Sequence, residues 1–171
     1  EIVENLVKTA DIVIANLPQP TLEAMGIDYD SLRAIKPDII LTTVTAYGNG
    51  GPYSERVGFD GVAQALAGAT YMGGRPGDPM KSFVPFADFG TATMAAFGTL
   101  SALIERNKTG NGQLVEAALT RTVMAFNIAL LAEEAIKSID RPSYGNRGYS
   151  AGPSDISVSY THLTLPTKSS V

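Results

Sequence analysis

The stretch that decides the fold is "ADIVIANLPQPTLEAMGIDYDSLRAIKPDIILTTVTAYG", residues 10–48. It opens with an unbroken apolar run, Ile12 to Ala15, bounded by Asp11 and Pro18. It closes with "DIILTTVTAYG", a second apolar run rich in β-branched residues that leads up to Gly48. Both runs predict strands buried on two faces, the pattern of a parallel sheet. Between them, "IDYDSLRAIKP" offers Asp28 or Asp30 as a helix N-cap, Leu32 and Ile35 as an apolar stripe, and Pro37 as a stop. Strand, short helix and strand in that order make one right-handed βαβ crossover. The fold class predicted is α/β.

Working outward, "EIVENLVKTA" upstream reads as the tail of a helix whose preceding strand is missing. With no initiator Met and no basic leader, the chain is expected to be an internal piece of something longer. Downstream, "AYGNGGPY" is a glycine-rich loop, "DGVAQALAGATYMGG" a helix and "GGRPGDP" a turn-dense connector. "QLVEAAL" reads as a strand, and "TRTVMAFNIALLAEEAIK" as a helix with Val123, Phe126 and Leu130 on one face. "DRPSYGNRGYSAGPSDI" is irregular. The final residues, 157–171, carry one charge, four Ser and three Thr without periodicity, and read as a disordered tail. His162, the single histidine, falls there and receives no catalytic role.

The chain has 171 residues, 44% of them hydrophobic, enough for one domain with a sizeable core. A formal net charge of -4 and the lack of any basic run argue against a nucleic-acid surface. Cysteine is absent, which removes disulfides, thiol catalysis and Cys-based metal sites, and fits a cytoplasmic setting. No metal is expected. The charge-free run Phe89 to Ile104 is sixteen residues and diluted by Gly, Thr and Ser. A membrane span needs roughly 20 predominantly apolar residues, so this run predicts a buried soluble helix. That helix is expected to start at Asp88, end near Arg106 with Gly110 as its stop, and bury Phe97, Leu100 and Ile104.

Three motifs invite chemistry. "DFG" at 88–90 matches the kinase magnesium motif over three residues only, without its partner motifs. "YGNGGP" at 47–52 lacks G-K-[ST] and is no phosphate loop of that type. It is either an ordinary loop or, at the carboxyl end of a parallel strand, part of a ligand site. Asp88 on its own reads first as a helix N-cap, and second as a carboxylate held beside an apolar wall, able to attack an activated acyl group. The two roles are compatible, and composition does not choose between them.

The residues resemble the class III CoA-transferases, a group that includes formyl-CoA transferase and carnitine CoA-transferase. Residues 10–53, "GFDGVAQALAG" at 58–68, "ADFGTATMAAFGTLSALIERNKTGNGQLVEAAL" at 87–119 and "GNRGYSAGPSDI" at 145–156 match successive family blocks in order. The resemblance implies a Rossmann-like parallel sheet with flanking helices, part of a two-domain fold that forms interlocked homodimers. It divides the chain into part of the large domain (1–139), a linker with the start of the small domain (140–156), and a tail foreign to the family (157–171). It also implies that Asp88 is the nucleophile, and that CoA moves from an acyl-CoA donor to a carboxylic acid acceptor through an aspartyl intermediate. Asn16, Leu17 and Pro18 fall on one CoA-contacting segment of the family, and Arg56, Val57, Gly58 and Phe59 on another. Many relatives carry a basic residue where Ala24 stands, and often one where Val57 stands, so the usual charge against the CoA phosphates is reduced. The related α-methylacyl-CoA racemases place an acid/base His where Phe59 stands. Phenylalanine exchanges no proton, which favours transfer over racemisation. Family members are roughly two and a half times this length, so a second expectation is that the chain by itself is a non-catalytic, truncated piece.

Overall fold

A computed structural model describes residues 2–149. The elements in order are α1 (Ile2–Thr9), β1 (Ile12–Ala15), α2 (Gln19–Met25), α3 (Tyr29–Ile35), β2 (Ile40–Thr45), α4 (Asp60–Leu66), α5 (Ala69–Met72), β3 (Gly74–Arg75), β4 (Asp78–Pro79), α6 (Phe86–Thr109), β5 (Leu114–Ala118), α7 (Leu119–Phe126) and α8 (Ile128–Lys137). The expected tail at 157–171, with His162, and the family block from 150 onward lie outside the described residues. Among the described residues no helix is long and apolar enough to cross a membrane.

The predicted βαβ unit forms, with β1 parallel to β2 and Ile12 opposite Ile40. Strand β5 adds on the other side of β2, also parallel, with Leu41 opposite Leu114, giving the order β1-β2-β5. The fold is therefore α/β, a parallel three-stranded sheet with flanking helices. The crossover holds two helices where the sequence predicted one. Asp28 caps the second of them, its side chain accepting from the Ser31 N–H at 3.1 Å, and Lys36 ends it just before Pro37.

Burial on two faces holds for β2, where Ile40, Leu41, Thr42 and Thr43 are all buried. It fails for β1. That strand is an edge of the described sheet, and nothing described covers Ile14, which is 72% exposed. One side of the sheet packs Val7, Leu32, Ile39 and Leu41 around α1 and α3. A second cluster of Ala63, Ala67, Ala87, Leu119 and Val123 joins α4, α6 and α7.

Helix α6 starts two residues before Asp88 and runs three beyond Arg106. Its buried stripe is Ala87, Thr91, Ala95, Thr99 and Ala102, whereas Phe97, Leu100 and Ile104 are exposed. The expected burial of those three is thus corrected. The helix rests on the sheet through its small residues, which permit close approach, and the hydroxyls of Thr42 and Thr99 meet at 2.6 Å in the interior. At the far end, Arg106 pairs with Asp11 at 3.1 Å, tying the helix to the residue that precedes β1. The other two predicted helices are each split. Residues 60–72 break at Gly68 between α4 and α5, and Asn127 separates α7 from α8. In the latter pair Val123 is buried, while Phe126 is half exposed and packs against Phe86. The turn-dense connector is a two-residue antiparallel hairpin, β3 with β4.

Candidate active site

Parallel strands deliver their C-terminal ends to one side of a sheet, where the following loops diverge and leave a crevice. Here β1 delivers Asn16 and Pro18, and β2 delivers Val44, Thr45 and Ala46, to a cavity of about 330 Å³. The later half of the loop after β2 forms the opposite wall, with Ser54, Arg56, Val57, Gly58 and Phe59. Asp88, from the first turn of α6, and Leu119, from the start of α7, complete the lining. Seven of the eight residues singled out in the sequence therefore share one cavity. Leu17, half-buried beside Asn16 and Pro18, does not line it. The glycines of "YGNGGP" do not line it either; the segment that follows them does.

Each wall has a local cause. Gly58 lies so near β2 that a Cβ there would stand 2.9 Å from the Ala46 Cβ, so only glycine lets this wall close on the strand. The Arg56 guanidinium stacks over the Tyr53 ring at 4.5 Å, a contact worth about 0.5–1 kcal/mol. Among the described residues lining the cavity, Arg56 is the only cation. Val57 and Phe59 are 71% and 73% exposed, so this part of the cavity rim is apolar.

Asp88 is not the N-cap of its helix. Pro85 holds that position and offers no capping side chain, which leaves Asp88 as the third helical residue. The capping acceptor comes from elsewhere in the chain: Asp60, the first residue of α4, accepts the Ala87 N–H at 2.9 Å. The Asp88 carboxyl is pushed above its ordinary value by partial burial and, next, by the negative charge of Asp60. A more basic carboxylate is a better nucleophile once ionised. The helix dipole at this first-turn position acts in the opposite direction, favouring the ionised form. At Gly90 a Cβ would meet the Phe126 ring at 2.8 Å, so the space beside this glycine is filled by α7 and not left for a ligand.

The sequence model of CoA-transferase family III matches residues 1–158. The chain belongs to CoA-transferase family III. This family III chain is 38% identical over 119 residues to a succinate–glutarate CoA-transferase of Agrobacterium fabrum, covering 69% of the chain and 30% of that relative. It is 33% identical over 126 residues to the human succinyl-CoA:glutarate CoA-transferase, covering 73% and 29% respectively. Among solved structures, a CAIB/BAIF family protein from Brucella suis superposes with a TM-score of 0.82 at 34% identity, over 90% of this chain and 41% of that one. The chain therefore spans about a third of the length of the curated relatives it matches.

Sequence reasoning missed the floor of the cavity, Val44, Thr45, Ala46 and Leu119, because strand ends carry no chemical signature. It also missed Asp60. The only signal was its place opening a predicted helix, where an acidic residue is ordinarily explained by the helix itself.

Proposed function

We propose that this family III chain carries the nucleophile and part of the CoA cleft of a transferase. CoA would pass from an acyl-CoA donor to a small carboxylic acid through Asp88. The observation that supports this reading best is the meeting of Asp88 with Asn16, Pro18 and Arg56 to Phe59 in one cavity, from three separate segments. Its volume is at the small end of ligand pockets, suited to the thioester end of CoA rather than the whole molecule. In the proposed sequence, an Asp88 oxygen attacks the donor thioester carbonyl, and collapse of the oxyanion expels CoA thiolate to leave an acyl–aspartyl anhydride. The thiolate adds to the aspartyl carbonyl, releasing the donor acid and leaving an aspartyl-CoA thioester. The acceptor carboxylate attacks that thioester and expels the thiolate again. Attack of the thiolate on the acceptor acyl group of the new anhydride yields acceptor-CoA and restores the Asp88 carboxylate. No proton is gained or lost overall. As the resemblance implies, the enzyme would act as a homodimer, and this chain's lack of cysteine fits a cytoplasmic setting. Succinyl-CoA with glutarate is the first pair to assay, since the relatives' names contain both acids.

The test uses the natural polypeptide that carries these residues. Hydroxylamine added during turnover should convert Asp88 to its hydroxamate, located by peptide mass spectrometry. Asp88→Asn should lose the adduct and several orders of magnitude in kcat. Transfer undiminished in Asp88→Asn, or a hydroxamate on another carboxylate, would overturn the proposal. Proton exchange at the α-carbon is the weaker alternative, because Phe59 on the cavity wall has no proton to exchange.

A further inference from the structure

We propose that Asp60 is a positioning residue: with Gln64 it forms a buried relay that fixes the segment leading into α6, and with it the place of the Asp88 carboxylate. This rests on the reading of Asp88 as nucleophile. Asp60 is 6% exposed and Gln64 is fully buried. No ion pair to Asp60 is found among the described residues. A buried carboxylate without a cation is costly unless hydrogen bonds satisfy it. Here they do. Oδ1 accepts from the Ala87 N–H at 2.9 Å, and Oδ2 accepts from Gln64 Nε2 at 2.6 Å. Gln64 Oε1 in turn accepts from the Ser82 N–H at 2.8 Å. The relay thus clamps both ends of the short link 82–87, and Asp88 is the next residue.

The relay has a direction. Position 60 must accept twice, and position 64 must donate to it while accepting from Ser82. An asparagine at 60 breaks a link in either orientation. If its Nδ2 faces Gln64, two donors meet, and a turn of Gln64 to compensate costs the Ser82 N–H its acceptor; if its Nδ2 faces Ala87, it meets that N–H as a second donor. A neutral Ser or Thr would satisfy one helix-end N–H, so a cap alone does not explain a buried charge here. The charge also bears on Asp88, whose carboxyl is pushed up by burial and by Asp60. Among the described residues, the charged groups around Asp88 are Asp60, from α4, and Arg56, which lines the same cavity from the preceding loop; β2 with the residue after it and α7 present Val44, Thr45, Ala46 and Leu119 to the cavity.

The experiment compares Asp60→Asn, Gln64→Met and Asp88→Asn in the natural polypeptide, with succinyl-CoA and glutarate. Asp60→Asn should lower kcat roughly 10- to 100-fold and leave the KM for acyl-CoA within about threefold, the mark of a displaced reacting group. Its acid limb of kcat against pH should move to lower pH, because the like charge beside Asp88 is gone. Gln64→Met should lower kcat but leave that limb in place, since the charge remains. In the unaltered protein, amide hydrogen exchange at Ser82 and Ala87 should be slow beside Phe83 and Val84, a readout that no folding defect can confuse. Wild-type kcat with an unmoved acid limb in Asp60→Asn, or Ser82 and Ala87 exchanging as fast as their neighbours, would overturn the inference while a dead Asp88→Asn kept the nucleophile. Retained transfer in Asp88→Asn would instead remove the reading beneath it.

Discussion

Asp88 holds its proton more tightly in the folded chain than its ordinary value of 3.8 allows, chiefly through burial and then through Asp60. The sign of the stability effect follows. The folded state binds this proton better than the unfolded state, so stability falls as pH rises from the ordinary carboxylate value through the raised one. At neutral pH the fold therefore carries an ionised Asp88 at a cost, one that solvent moderates because the side chain is exposed. Asp88→Asn removes the cost, and its Tm at neutral pH should rise. The gain should vanish when calorimetry is repeated below the ordinary carboxylate value. A lower Tm in the variant at neutral pH would contradict this assignment. Loss of activity with a gain in stability is the pattern expected where function requires an unfavourable charge.

At the scale of elements, α6 is the piece that brings Asp88 to the strand ends, and its seating on β2 is partly polar. Thr99 donates its hydroxyl hydrogen to the Ala95 carbonyl at 2.7 Å, as side chains do on a helix interior. Its oxygen is then free to accept, so Thr42 is the donor in the 2.6 Å bond between them. Thr99→Val would strand the Thr42 hydroxyl in a dry interior and should cost about 1–3 kcal/mol in urea unfolding. Thr42→Val with Thr99→Val replaces both partners by isosteres and should recover most of that loss. Equal destabilisation in the single and double variants would show that the pair is not coupled.

For the molecule as a whole, the described surface carries apolar residues over wide areas. Ile14 on the sheet edge, Phe97 on α6 and Ile136 on α8 are 72%, 71% and 81% exposed. Apolar burial stabilises by about 25 cal/mol per Å², so surfaces of this kind drive association. The isolated 171-residue chain is expected to self-associate at micromolar concentration, read by light scattering, with calorimetry showing no tight CoA binding. A monodisperse monomer that binds CoA tightly would reverse that view of the molecule.

Two strands, their parallel pairing and a helix cap at Asp28 or Asp30 followed from residues 10–48 alone, because local apolar runs and turn residues act over a few positions; the fold chose Asp28. Asp88 was also legible, both as a carboxylate at a helix start and through the family blocks around it. What stood beyond reach depended on distant segments meeting. The burial of α6 on Ala and Thr rather than Phe97, Leu100 and Ile104 depends on which face meets β2, and periodicity within the helix does not specify that. The cap on α6 comes from Asp60, twenty-seven residues away, so no local pattern around Asp88 contains it. Residue types and short-range order were thus determined by the sequence itself. The cavity, and the raised proton affinity of Asp88 beside the buried carboxylate of Asp60, were decided only when the tertiary fold brought those groups together and shielded them in part from water.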